Sequence, residues 1–306
     1  MLTEISSHIR QILTHFTEDD SIIFNNTLYK INNNNFQEII PQKGKSITFI
    51  DGGQAEILST GNFCLSFIRI VGITFKDKKK IQSKKEFYLF TKAVYKNKDL
   101  IFESKIFGDK LIEEADLIIS SNDQTIKTSI ERASIAKVSN IARRFAELAL
   151  AKIIKSDFIL LDGTLEQSYP NEEKYLSSIS ALAKSSSLFT SSGNSPVILL
   201  NKIVIDKSWI YQINERTFFV KLHPKAKHVF RFDGNTEILP FLTENSKDAL
   251  FLGYPYGLIL ADKQARITNE EKNSLAMQFL LRKENQEIAN YLNSINAHEI
   301  LDQLSY

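Results

Sequence analysis

The sequence contains few of the residues that mark specialised classes of protein. Its single cysteine, Cys64, excludes an internal disulfide and a zinc site built from several thiolates. Its 11 glycines include no Gly-x-Gly-x-x-Gly arrangement of the kind that cradles phosphates. No apolar run approaches the roughly 20 residues of a membrane helix, and the N-terminus has no basic leader followed by an apolar segment. We therefore expect a cytoplasmic protein with no membrane segment.

The charges of the chain nearly balance. Lysine and arginine total 38 against 36 acidic residues, giving a net charge of +2. This balance excludes a polycation of the ribosomal type, but it leaves room for a local basic groove because net charge averages over all faces. A hydrophobic content of 43% in 306 residues is ordinary for one large globular domain or two smaller ones.

Hydrophobic patterning predicts an α/β protein. Segments rich in β-branched and aromatic residues at 46–53, 63–75 and 86–95 predict a β-meander. Apolar residues three and four positions apart between 130 and 149 predict a helix, and the continuous apolar run at 158–161 is typical of a buried strand. We further predict a helix over 171–184, strands at 197–200, 217–222 and 228–232, and C-terminal helices after Pro255, over 269–281 and over 284–294.

Two of the predicted strands end in an aspartate followed by glycine. Asp51 precedes Gly52, and Asp162 precedes Gly163. An aspartate at the end of a buried strand is held by the sheet and reaches the cleft at its edge, while the glycine leaves room for a phosphate to approach. Because Asp-Gly is also an ordinary turn dipeptide, a simple turn is the alternative interpretation of each.

Helix geometry predicts a third carboxylate. If the helix ending near Ile153 packs antiparallel beside the strand starting at Phe158, Asp162 lies about 13 Å along that strand. The same height is about nine residues back along the helix, and Glu147 is the acid nearest that level. Glu131 lies too far along the same helix to share the site. The alternative for Glu147 is a surface charge.

Three carboxylates without histidine or cysteine suit a hard ion, Mg²⁺ or Mn²⁺. Paired ions of this kind activate water and stabilise the leaving oxygen of a phosphodiester. The chain order is strand acid, meander, helix acid, strand acid, which is the topology of the RNase H-like nuclease fold. We therefore predict an α/β, RNase H-like mixed sheet flanked by helices, with an additional helical C-terminal segment.

Three passages give a more specific resemblance: Phe49–Gly53, Phe158–Leu165 and Leu252–Asp262. On these passages the chain resembles the NurA family of nucleases, the partners of the HerA hexameric ATPase in DNA-end processing. The resemblance spans about residues 45–270. It implies a nuclease core over 46–268, an N-terminal helical and loop extension over 1–45, and a C-terminal helical segment over 269–306.

The resemblance also implies an activity and partners. The activity is Mn²⁺- or Mg²⁺-dependent hydrolysis of DNA by a 5′-to-3′ exonuclease, with single-strand endonuclease activity as a further option. The partners are single- and double-stranded DNA ends, a second copy in a homodimer, and a HerA-like ATPase.

The family's site positions can be carried over residue by residue. Asp51, Glu147 and Asp162 match its metal-binding positions, and Lys184 matches a lysine that contacts the scissile phosphate. Asp262 matches a fourth metal-binding position. In the family, the residue that follows the alanine at this point is usually histidine, whereas this chain has Asp262 after Ala261. Aspartate can bind Mn²⁺ through oxygen, but it cannot supply a neutral imidazole.

Other interpretations stay open at this point. The main alternative is a catalytically weak or inactive DNA-binding or assembly subunit that retains the fold. Lys184 could instead be a cation at a helix C-terminus, where positive charge is favoured. A kinase-like ATPase on a related fold is disfavoured by the missing glycine-rich phosphate loop.

Overall fold

The computed structural model describes residues 1–14, 20–76, 79–127, 130–203 and 206–295. The strands in these ranges are β1 (Ser21–Phe24), β2 (Thr27–Lys30), β3 (Phe36–Glu38), β4 (Ile47–Ser59), β5 (Phe63–Lys76), β6 (Lys79–Lys96), β7 (Asp99–Gly108), β8 (Ile119–Ser120), β9 (Phe158–Asp162), β10 (Ser180–Ala183), β11 (Phe189–Thr190), β12 (Trp209–Gln212), β13 (Thr217–Lys221) and β14 (Phe230–Asp233). The helices are α1 (Leu2–Thr14), α2 (Val138–Ile153), α3 (Pro196–Ile203), α4 (Leu239–Asn245), α5 (Tyr256–Ala265), α6 (Asn269–Leu280) and α7 (Gln286–Ile295). Among these helices, the structure contains none whose length and apolar character would let it cross a bilayer.

One large sheet organises the chain. Its strand order is β3-β12-β13-β14-β10-β9-β4-β5-β6-β7-β8, and β11, β1 and β2 form a second, small sheet. At the centre β10, β9 and β4 run parallel, while β5 and β6 return antiparallel beside β4. This central order, with α2 leading into β9, is the RNase H-like arrangement, so the predicted fold class is confirmed. The boundaries predicted at residues 45 and 268 stay predictions.

The central strands are buried on both faces. Neighbouring side chains of a strand point to opposite faces, and Phe49 and Ile50 of β4 accordingly lie in different cores. Ile50 packs in the core that contains Phe145 of α2, whereas Phe49 packs in the core that contains Leu258 of α5. The long apolar run of β9 has the same cause, because a strand covered on both sides has no polar face.

Two glycines let α5 lie directly on β4. A Cβ atom added to Gly257 of α5 would lie 2.1 Å from the Phe49 ring, and one added to Gly53 of β4 would lie 2.0 Å from the carbonyl oxygen of Ala265. No side chain fits in either contact. The distance between this helix and the sheet is therefore set by residues that have no side chain.

Several predicted elements were wrong in extent. The first strand does not end at Asp51: β4 continues through Gly52 and Gly53 to Ser59 because its ladder with β5 is unbroken there, pairing Asp51 with Val71. The helix predicted from 130 begins only at Val138.

Two further elements were wrong in type. Residues 171–184 form a single 3₁₀ turn and then β10, because Ser180–Ala183 pair with β9 on one side and β14 on the other. Tertiary pairing here overrides the helical preference of alanine and leucine. Residues 197–200 lie in α3, whose first residue is Pro196, a position at which proline favours a helix.

The remaining C-terminal predictions are confirmed. Helices α5, α6 and α7 occur where expected, β13 lies in its predicted segment, and β14 overlaps the predicted strand at 228–232 but ends one residue later. The N-cap of α6 is Thr268, whose hydroxyl accepts a hydrogen bond from the Glu271 N–H. This Thr-x-x-Glu spacing is that of a capping box.

We expect Gly257→Ala to lower the free energy of unfolding by about 1–3 kcal/mol, the usual cost of forcing an extra methyl group into a packed core. The added Cβ would overlap the buried Phe49 ring. Gly61→Ala is the control, since no atom lies within 4 Å of its added Cβ. Urea denaturation of both variants tests this, and equal midpoints would show that α5 is not held by this contact.

Candidate metal centre

Strand register places two aspartates side by side. In the parallel pair of β4 and β9, Ile50 lies opposite Leu161, so Asp51 and Asp162 come next on their strands. Alternation puts both on the face of Phe49 and Leu160, which is the face covered by α5. The sheet thus fixes two carboxylates together without a direct bond between them.

Helix α5 brings a third carboxylate to the pair. One oxygen from each of Asp51, Asp162 and Asp262 lies within 4.8 Å of the other two. Asp51 is 8% exposed, while the other two are partly exposed. Three anionic oxygens this close, open to solvent on one side, form a donor set of the kind that Mg²⁺ and Mn²⁺ prefer.

Glu147 approaches the same place from the opposite face of the sheet. It is buried on α2, and its carboxylate accepts a hydrogen bond from Arg143 Nη1 at 2.9 Å. A Cβ added to Gly52 would lie 2.5 Å from Glu147 Oε1, so the carboxylate lies against the β4 backbone next to Asp51. Glu147 is not one of the three clustered carboxylates, and Glu131 lies outside α2.

Lys184 supplies positive charge to the cluster. It directly follows β10, and its Nζ lies 2.5 Å from Asp162 Oδ2 and 3.5 Å from Asp262 Oδ1. Asp262 also pairs with Arg266 Nη2 at 2.9 Å. Because Lys184 follows a strand, the alternative that it is a cation at a helix C-terminus is wrong.

Burial and neighbouring negative charge raise the proton affinity of two of these acids, Asp51 and Glu147. Burial, followed by the negative charges of Asp162 and Glu147, raises the pKa of Asp51 to about 7, although the Gly52 N–H and Lys184 oppose this shift. Burial also raises the pKa of Glu147, against the opposing charges of Arg143 and Arg144. Ionising Asp51 in this site is therefore unfavourable without nearby positive charge, which a divalent cation would supply.

The glycines after the aspartates do not all have the predicted role. Gly52 faces Glu147, and Gly53 faces the carbonyl of Ala265, so both admit protein groups rather than a phosphate. Gly163 differs: its φ is +112°, and no atom lies within 4 Å of an added Cβ. Only the glycine that follows Asp162 leaves the approach to the cluster open.

Tyr254 is a site residue whose position the sequence did not predict. It is 3% exposed, and its hydroxyl has no hydrogen-bond partner of adequate geometry among the residues that the structure describes. Burial and the charges of Asp162 and Asp51 raise its pKa, so the phenol stays protonated. The Lys184 ammonium lies 5.9 Å from the centre of its ring. The signal in the sequence was a tyrosine immediately before Pro255, the N-cap of α5.

These features define a class of protein: an RNase H-like α/β fold with an acidic centre where the parallel strands meet a covering helix. Within that class, the chain is similar in structure to the NurA nuclease from Sulfolobus solfataricus, with a TM-score of 0.54 over 94% of this chain and 96% of that one, at 14% sequence identity. The chain therefore has the fold of NurA.

Two other solved structures are more distant. A second NurA structure aligns with a TM-score of 0.49 and 9% identity over 84% of this chain and 93% of that one. The Argonaute of A. aeolicus aligns with a TM-score of 0.32 and 13% identity, over 73% of this chain and 28% of that one. No family model and no curated protein sequence matches the chain.

We expect Asp51→Asn to stabilise the metal-free protein at pH 8 by up to about 4 kcal/mol, since the pKa of Asp51 is raised by roughly three units and each unit corresponds to about 1.4 kcal/mol. Asp51 has a pKa of about 7 when folded and 3.8 as its ordinary value, so the folded protein binds more protons between these values and loses stability as pH rises through them. Near pH 4 the carboxyl is protonated, and the gain should vanish.

Denaturant unfolding in EDTA at pH 4, 6 and 8 measures this difference. Asp206→Asn, at an exposed position, is the control and should show no such trend with pH. A gain for Asp51→Asn that is the same at all three pH values would contradict a raised pKa of Asp51 in the folded protein.

Proposed function

We propose that the chain is a metal-dependent deoxyribonuclease. The observation that carries this proposal is the clustering of the Asp51, Asp162 and Asp262 oxygens within 4.8 Å of one another on the NurA fold. Oxygen-only donor sets of this kind serve phosphodiester hydrolysis in two-metal enzymes.

The residues present fit Mn²⁺ or Mg²⁺. Asp51, Asp162 and Asp262 would hold the ion, and Glu147 would support the centre through the β4 backbone beside Asp51. When bound, the ion would activate water and stabilise the leaving oxygen of the phosphodiester. With Asp262 in place of a histidine, every donor in the set is a carboxylate oxygen. Such a set favours Mg²⁺ more than a set that includes an imidazole nitrogen.

Two other side chains would act on the phosphate. Partial burial disfavours the charge on Lys184, but its hydrogen bond and ion pair with Asp162 and the nearby aspartates outweigh this effect and raise its pKa. Its ammonium therefore stays charged and would stabilise negative charge developing on the phosphate oxygens. The Tyr254 hydroxyl is a protonated donor that lies near Asp162 but makes no hydrogen bond of adequate geometry to a described residue, so a phosphate oxygen could accept from it. Both groups are preorganised, since neighbouring residues already hold them at the cluster.

The finer properties are part of the same proposal. They are a 5′-to-3′ exonuclease with single-strand endonuclease activity, a homodimer, and a HerA-like ATPase as the partner on DNA ends. Their support is the sequence resemblance to the NurA family together with the shared fold.

A second candidate is an inactive DNA-binding or assembly subunit. One observation favours it: Lys184 and Arg266 already pair with Asp162 and Asp262. These internal cations could neutralise the cluster without a metal ion. Such a protein would bind DNA and leave it uncut.

We expect the purified protein to cut labelled DNA with Mn²⁺ or Mg²⁺ and not with EDTA. Asp51→Asn should abolish cutting, because the amide keeps the size of the side chain but loses its charge. Glu147→Gln should lower the rate by about 10–100-fold, the usual effect of losing a group that supports metal ligands. Glu131→Gln, outside α2, should cut like the parent.

Retention of DNA without cutting under every metal condition would instead support the inactive subunit. Parental activity in both Asp51→Asn and Glu147→Gln would remove these residues from the site. Loss of activity in Glu131→Gln with full activity in Glu147→Gln would overturn the assignment of the helix carboxylate.

Asp262 offers a separate prediction. Asp262→Ala should reduce the cleavage rate less than Asp162→Ala, because Asp262 is more exposed and also shared with Arg266. Asp262→His should shift the preference toward Mn²⁺, since imidazole is the softer ligand. Cleavage rates against metal concentration test both effects. If Asp262→Ala matches the parent at every concentration, residue 262 is not a ligand.

A further inference from the structure

A row of aromatic rings leads from the acidic cluster to the surface. The Tyr254 ring lies next to Lys184, and its centre is 5.8 Å from that of Phe251. Phe251 in turn stacks on His228, with ring centres 5.2 Å apart and planes 23° from parallel. Buried Phe230 supports the row from beneath, 5.1 Å from Tyr254. Tyr254 is buried, whereas Phe251 is 41% exposed and His228 is exposed.

Basic side chains flank the exposed end of this row. Lys225 and Lys227 are exposed on the segment between β13 and β14. Among the described residues, neither ammonium has a carboxylate within ion-pair distance. The segment lies directly against the turn that holds Phe251, because a Cβ added to Gly253 would be 2.4 Å from the Ala226 Cβ. Lysines and exposed rings therefore belong to one surface.

The local potential is positive. His223 has its pKa lowered by burial first and then by the charges of Lys225 and Lys247. Lys247 is itself paired with Glu244. Beside this segment an open groove of about 710 Å³ is lined by four lysines, Lys202, Lys221, Lys225 and Lys227, and by one acid, Asp206. Cations thus outnumber anions along this edge although the whole chain is almost neutral.

We infer that Phe251, stacked on His228, and the ammonium groups of Lys225 and Lys227 form a binding surface for single-stranded DNA beside the acidic cluster. Unpaired bases can stack on an exposed ring, while lysines contact the phosphates between them. Bases in a duplex are already stacked on one another, so this surface favours a single strand. The role of this surface is to hold the strand whose phosphate reaches Lys184. That role rests on the proposed nuclease function.

Binding of a fluorescein-labelled single strand in EDTA, followed by fluorescence anisotropy, tests the inference without any cutting. Phe251→Ala should weaken binding about tenfold, and Phe251→Trp should keep the parental affinity. A strand of the same length made of abasic sites should bind both variants alike, since it has no base to stack. A blunt duplex should not distinguish Phe251→Ala from the parent.

The lysines should act differently from the ring. The Lys225→Ala, Lys227→Ala double variant should weaken normal and abasic strands equally, and the slope of log affinity against log salt should fall by about 1.4, or 0.7 for each lost phosphate contact. Phe107→Ala, which removes another exposed phenylalanine, and the Lys79→Ala, Lys80→Ala pair are the matched controls and should bind like the parent.

The outcomes separate this inference from the proposed nuclease. A parent that binds the single strand and never cuts it would overturn the nuclease and leave the binding surface intact. A parent that cuts DNA while the Phe251 and lysine variants bind with parental affinity would overturn the binding surface alone. Equal losses in the variants and in the matched controls would also overturn it.

Discussion

The parallel pairing of β4 with β9 places two negatively charged side chains next to each other in a buried part of the sheet. Asp51 and Asp162 follow the paired residues Ile50 and Leu161, so neither can move away without breaking the register. Their repulsion, added to burial, raises the pKa of Asp51 to about 7. Stable folding therefore requires positive charge nearby, and the arrangement around the pair provides it.

The surrounding elements supply that charge from three directions. Lys184 comes from the end of β10, Arg266 reaches Asp262 from the end of α5, and Arg143 neutralises Glu147 from within α2. Arg143 and Arg266 each lie one helical turn from the acid they contact. Lys184 follows β10, the strand that pairs with β9, which carries Asp162. A divalent ion entering the cluster would compete with the first two and leave the Arg143 pair in place, since Glu147 lies on the opposite face of the sheet.

The parts predicted correctly from the sequence depend on local patterns. The apolar run that ends in Asp162 predicts a buried strand because a strand covered on both faces excludes polar residues. Helix rise, together with an assumed antiparallel packing, predicted Glu147 at the level of Asp162, and the structure places its carboxylate against the β4 backbone, outside the three-carboxylate cluster. Local patterns did not predict where α5 packs, because its position depends on the contact between Gly257 and Phe49, which lie far apart in the sequence. The helix predicted at 171–184 failed for a similar reason: Ser180–Ala183 become a strand only because β9 and β14 are there to pair with them.

The order of these elements along the chain bears on how the protein is made. Asp51 lies on β4, Asp162 arrives with β9, and Asp262 follows all of the strands described. Pairing strands so far apart in sequence is slow, and domains fold as they emerge from the ribosome. A nascent chain cannot assemble the three-carboxylate centre until α5 has been synthesised. Translation thereby delays the centre until the sheet that supports it is complete.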